Sequence, residues 1–260
     1  MDPVTPSRRR WGALAWLATL QFFVVETVVQ LRGQGHSRVD DVISDLGETT
    51  WPGHQAMNAS FVVQAALVLG GALLLLPVLR GGAGRAAAYL LGIASVGTLL
   101  VGVFPSDRSD TWHGTGAALY LVGSAVGLIC LAYALRRRSE VLGTVLVLLG
   151  LVGAAATTFF VADVEVLARG ATERAAAYVL PVGLALTALF LWRAGSTDSA
   201  GVQEARTQRA ERARERDEAL EAAARRAESR TPAPGTTGAG PVDDTDTDAE
   251  DHWAPARRSD

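Results

Sequence analysis

Residues 141–161 read "VLGTVLVLLGLVGAAATTFFV", a run without a single charged side chain. At a rise of about 1.5 Å per residue, such a helix covers roughly 30 Å, the thickness of a bilayer's hydrocarbon core. One run of this kind is compatible with a buried helix in a water-soluble protein. Moving outward in both directions, however, five more appear, at 11–31, 56–79, 86–103, 114–135 and 175–192. Each is bounded by charge or by Gly and Pro. Six in series predict an all-α fold, a six-span transmembrane helical bundle. The average composition of the 260 residues, 49% hydrophobic and 20% charged, conceals this because residues 193–260 hold little apolar content. The chain therefore divides into an N-terminal segment (1–10), a membrane domain (11–192) and a charged C-terminal tail (193–260).

Arginine predicts the orientation, since the sequence contains no lysine. With alternating spans, "RRR" at 8–10, Arg80, Arg85, "RRR" at 136–138 and Arg193 fall on one side. Arg32, Arg38, Arg108, Arg169 and Arg174 fall on the other, mixed with Asp40, Asp41, Asp45, Glu48, Asp107, Asp110, Asp163, Glu165 and Glu173. The arginine-rich side is expected to be cytoplasmic, with both termini there and the bundle in a plasma membrane. "SRRRW" (7–11) has some twin-arginine character, but 11–31 exceeds the core of a cleaved signal and ends without a small-x-small site, so a retained helix is expected.

Short connections at 80–84 and 136–140 predict tight hairpins joining spans two to three and four to five. Gly123 and Gly127, then Gly143, Gly150 and Gly153, recur at spacings that allow close helix approach in lipid. Pro77 and Pro181 are expected to bend their helices. Cys130 is the single cysteine, which excludes an internal disulfide and a cysteine-based metal site.

In the tail, 203–230 is rich in Ala, Glu and Arg without an apolar seam, which predicts a solvated helix rather than a coiled coil. Residues 231–260 read as disordered. "DDTDTDAED" (243–251) is not a calcium loop: counted from Asp244, the sixth position is Ala249 and the twelfth Pro255. A net charge of −3 gives no reason to expect nucleic acid as a partner.

The polar chemistry gathers in the connections opposite the arginine-rich side. "DDVISDLGETTWPGHQAMN" (40–58) links the first two spans, and part of 37–47 is expected to form an interfacial helix with Val39, Val42, Ile43 and Leu46 on one face. Ser44, Asp45, His54, Asn58, Asp107, His113, Glu173 and Arg174 all fall at or near this one rim. Glu26 sits about five residues inside span one, roughly 8 Å deep. Gln30 lies one turn further out on the same face, and Gln64 at comparable depth in span two. Polar groups at such depth should face the bundle interior, paired or wet.

The motifs "ISDLG" (43–47), Asn58, "VGVFPSD" (101–107), "HG" (113–114) and "GATERAAAYVLP" (170–181) together resemble the bacterial multi-pass membrane family catalogued as domain of unknown function 998. The resemblance covers about residues 11–192. It implies a helical membrane fold with polar motifs on one face, and it supplies no reaction.

Three readings of the rim residues compete. As scaffold, Ser44 and Asp45 cap turns, and Asp107 or Glu173 pairs with Arg174 or Arg108 to hold the loops. As a non-enzymatic binding site, the cluster takes a lipid headgroup, a small polar ligand or a partner protein, with membrane lipids as surroundings. As an enzyme, Ser44 with a histidine and an acid forms a membrane-embedded hydrolase, or His54, His113 and Asp45 or Asp107 hold a metal. No HExxH, i, i+4 histidine pair or nucleophile elbow supports the last reading, so no catalytic residue, metal ligand or cofactor is assigned. The binding reading leads.

Overall fold

A computed structural model of the protein describes residues 6–79, 81–164 and 166–230. The expected disorder of 231–260, together with residues 1–5, Arg80 and Glu165, lies outside them. The described residues form helices and no strand: α1 (Pro6–Ala18), α2 (Gln21–Gln30), α3 (His54–Leu75), α4 (Gly81–Val103), α5 (Asp110–Leu135), α6 (Glu140–Val161), α7 (Arg169–Ala177) and α8 (Val179–Arg230). Six stretches are long and apolar enough to cross a membrane: Ser7–Gln30, His54–Leu75, Gly81–Val103, Asp110–Leu135, Glu140–Val161 and Arg169–Ala194. Their outward surfaces carry exposed Val24, Leu73, Val122, Leu148 and Val152. In water such a belt would aggregate; in lipid it is solvated.

Two compact units divide the chain, Met1–Gln203 and Glu204–Asp260. The described side chains of the second are almost all exposed and include a Glu221–Arg225 pair at 3.8 Å.

Small residues set the helix spacing. The closest approach joins α4 to α5, where a side chain at Gly97 would meet the backbone of Gly116 and Tyr120. A Cβ at Gly123 would lie 3.0 Å from the backbone of Leu90 and Ala94 in the same seam, and one at Gly150 of α6 would lie 2.8 Å from the Ala125 carbonyl of α5. The spacing of Gly123 and Gly150 is legible in the sequence; the tighter Gly97–Gly116 contact lies between helices and carries no local signature. The expected hairpins are present, with α3 against α4 and α5 against α6.

Proline acts differently at its two positions. Pro77 does not bend a helix: α3 stops at Leu75. Because Pro77 has no N–H for the Leu73 carbonyl, that oxygen is free, and Arg8 takes it at 3.0 Å together with the Leu74 carbonyl at 3.1 Å. Pro181 likewise releases the Ala177 carbonyl at the α7–α8 break, and the Tyr120 hydroxyl donates to it at 2.9 Å. Span one breaks without proline. The Thr19 hydroxyl donates to the Trp16 carbonyl at 2.6 Å, and the backbone there tightens to i−3 hydrogen bonds between α1 and α2.

The expected interfacial helix over 37–47 is replaced by a single 3-10 turn, Ile43–Gly47. Ile43 and Leu46 are buried, whereas Val39 is 56% exposed, so the apolar stripe is not one face. Side chains tie the preceding segment into a turn: Ser37 N donates to Asp41 Oδ2 at 2.8 Å, and Ser37 Oγ to Asp40 Oδ2 at 2.6 Å. These local bonds compete with helix formation.

Replacing Gly97 with Leu is expected to cost about 1–3 kcal/mol through overpacking, read as a lower melting temperature in detergent. Gly82→Ala, where a side chain meets open space, should leave it unchanged. Equal melting of the two variants would refute the assigned seam.

Candidate functional site

The loop 31–53, the 3-10 turn and α7 meet over the ends of α2, α3 and α5. The starting point is Gly170 and Arg174, four residues apart and so on one face of α7. That face is laid against residues 38–41, so closely that a side chain at Gly170 would collide with the Asp41 backbone. The first amides of α7 lack partners within the helix. Here Gly170 N donates to the Asp40 carbonyl at 3.1 Å and Ala171 N to the Val39 carbonyl at 2.8 Å.

Arg174 completes the grip. Its Nη1 donates to the carbonyls of Asp41 at 2.7 Å, Arg38 at 2.8 Å and Gly170 at 3.2 Å. Its Nε donates to Glu26 Oε1 at 3.0 Å, where the Glu26 side chain is fully buried. The other oxygen of Glu26 accepts from the Tyr178 hydroxyl at 2.5 Å, and Arg38 Nη2 lies 3.4 Å from Oε1. Arg38 also donates to the Tyr178 oxygen at 2.8 Å and to Gln30 Oε1 at 3.1 Å. Glu26 and Gln30 thus face inward, as their depth requires. Arg174 turns to Glu26 instead of the expected Asp107 or Glu173.

Beside this network lies a small cavity of about 40 Å³. Its polar lining is Ser44, Thr98, His113, Tyr120 and Glu173, and its apolar walls include Phe22, Phe61 and Leu121. Glu173 Oε2 accepts the Ile43 N–H, which fixes the 3-10 turn over the cavity. Buried His113 bonds the Phe104 carbonyl through Nδ1 at 2.9 Å. A carbonyl partner requires the proton on Nδ1, so Nε2 of the neutral ring is an acceptor.

The other candidates lie elsewhere. Exposed Asp107 accepts from both the amide and hydroxyl of Thr49, and the Thr49 hydroxyl holds its carboxylate below the usual range. Half-buried Asp45 is raised by desolvation and then by neighbouring Glu48. His54 bonds the Trp51 carbonyl at 2.9 Å through Nδ1 at the start of α3. Asn58 donates to the Gly47 carbonyl at 2.8 Å, joining α3 to the 3-10 turn. Gln64 is 3.5 Å from Gln21, whose Nε2 also reaches the Ser60 carbonyl at 3.3 Å, in a separate patch between α2 and α3.

The eleven rim and intramembrane candidates thus separate. Glu26, Gln30 and Arg174 form the charged network, Ser44, His113 and Glu173 line the cavity, His54, Asn58, Gln64 and Asp107 bond loops or helices, and Asp45 lies in the 3-10 turn. Among the described residues no three His, Cys, Asp or Glu side chains gather to hold a metal ion. Sequence reasoning missed Tyr178, Thr98 and Tyr120. Tyr178 alone had a legible signal, standing four residues after Arg174.

Glu26→Gln is expected to destabilise the protein by about 3–5 kcal/mol, the usual cost of breaking a buried ion pair from one side. Hydrogen exchange should show residues 38–41 and the first turn of α7 opening together. Protection of both at wild-type levels would contradict the latch.

The family described as "Protein of unknown function (DUF998)" has a model that matches residues 16–196. No curated protein and no solved structure matches the chain. The matched span contains the α7 latch, the 3-10 turn and every wall of the cavity, and the chain belongs to the DUF998 family of helical membrane proteins.

Proposed function

We propose that this is a non-enzymatic membrane protein that binds a small polar ligand or lipid headgroup in the cavity above α2, α3 and α5. The observation that carries the reading is the convergence of Ser44, Thr98, His113, Tyr120 and Glu173 on one cavity, from four separate elements. Polar groups buried at the end of an apolar bundle need partners, and a ligand supplies them. The same convergence gives a hydrolase its strongest argument, because Ser44, His113 and Glu173 share the lining. Against it, His113 gives its Nδ1 to the Phe104 carbonyl, where a catalytic triad would place the carboxylate.

In this reading the bundle sits in a bacterial plasma membrane with the arginine-rich ends and both termini in the cytoplasm, so the cavity opens to the outside. The orientation is tested in a Cys130→Ala background by single cysteines at Gln34 and Arg137. An impermeant maleimide should label the first and not the second in intact cells; the reverse pattern overturns the orientation.

Binding is tested by filling the cavity. Ala117→Phe should remove a small molecule or lipid that co-purifies with the wild-type protein, identified by mass spectrometry after extraction. Unchanged co-purification, or nothing bound in either protein, would end the proposal.

A further inference from the structure

Resting on that reading, the geometry points to a primary ammonium group as the chemistry the cavity accepts. The argument is an inventory of hydrogen-bonding capacity. Glu173 uses Oε2 on the Ile43 amide, which leaves Oε1. His113 uses its Nδ1 proton on the Phe104 carbonyl, which leaves an Nε2 lone pair. Tyr120 gives its hydroxyl proton to the Ala177 carbonyl, which leaves only lone pairs on its oxygen. Ser44 and Thr98 add hydroxyls able to serve either way. The lining therefore offers at least three acceptors, one of them a carboxylate.

Among the described residues no arginine lines the cavity, and the sequence contains no lysine. The nearest cation in sequence, Arg174, is not part of the lining; its Nε and Nη1 are engaged by Glu26 and three backbone carbonyls, and its Nη2 is buried without a hydrogen-bond partner among the described residues. A phosphate or carboxylate would bring further acceptors against those of the lining. An –NH₃⁺ group brings three donors and a positive charge. Phe22, Phe61 and Tyr120 are aromatic members of the lining, and an aromatic ring attracts a cation placed over its face. Size agrees: a cavity of about 40 Å³ holds roughly three waters, the room taken by a terminal CH₂–NH₃⁺. A trimethylammonium group is bulkier and has no N–H to donate.

The same group is found on an aminophospholipid and on a free amine, and the test separates them. The full chain is placed in nanodiscs with equal phosphatidylethanolamine, phosphatidylcholine and phosphatidylglycerol, and retained lipid is read by native mass spectrometry. Parallel samples in detergent are titrated with ethanolamine or choline. Phosphatidylethanolamine is expected about tenfold above phosphatidylcholine, as for one charge-assisted interaction. Ethanolamine binding without lipid enrichment would instead identify a soluble amine, with choline inert in either case.

Glu173→Gln retains an oxygen for the Ile43 amide and should abolish the preference. If that variant does not fold, the ethanolamine-to-choline contrast in the wild-type protein decides. Equal retention of all headgroups, or preference for phosphatidylglycerol, overturns the ammonium assignment. If that retention is still lost in Ala117→Phe, the cavity reading survives; if nothing binds, both fall.

Discussion

A carboxylate buried in an apolar bundle is tolerated only when something positive and well oriented lies beside it. In this protein Glu26 is that carboxylate, and Arg174, in the last span, is its partner. The two residues, 148 positions apart in the chain, connect the first and last spans. The Nη1 of Arg174 is directed to the backbone of residues 38–41. One guanidinium thus neutralises a buried acid and fastens the longest loop across the end of the bundle.

The cavity depends on that fastening. Its lid is the 3-10 turn at Ile43–Gly47, held on one side by Glu173 and on the other by Asn58. Glu173 and Arg174 are consecutive, so they leave α7 in different directions. Arg174 closes the charged network, and Glu173 supplies the only carboxylate in the cavity wall among the described residues. The loop's far end is held separately, by Asp107 on Thr49. Deeper in the bundle, Pro181 and Tyr120 serve the same assembly: the carbonyl that proline leaves free orients the tyrosine whose ring lines the cavity.

Hydrophobic length and the positions of charge were enough to read six spans, their approximate limits and the inward facing of Glu26 and Gln30. Those properties are local, or repeat with the helical period. What could not be read is relational. Arg174 had several acids available at the rim, and nothing in its neighbourhood distinguishes Glu26 from Asp107. Ser44 and His113 share a wall, whereas His54 does not, because helix packing decides which loop ends meet. The apolar spacing of 37–47 mimics a helix, but Ser37, Asp40 and Asp41 offer the backbone closer partners and the segment turns instead. The Gly97–Gly116 contact depends on the register between two helices, which sequence spacing within either cannot supply.

The grip of Arg174 on residues 38–41 falls on main-chain oxygens, which every amino acid possesses. Val39, whose side chain points outward, is therefore exchangeable without loosening the fastening. Gly170, by contrast, admits no larger residue, because the backbone it faces cannot withdraw. Tolerance across this rim should thus be uneven: latitude at Val39 and almost none at Gly170, with Arg38, Asp40 and Asp41 restricted by their own side-chain bonds.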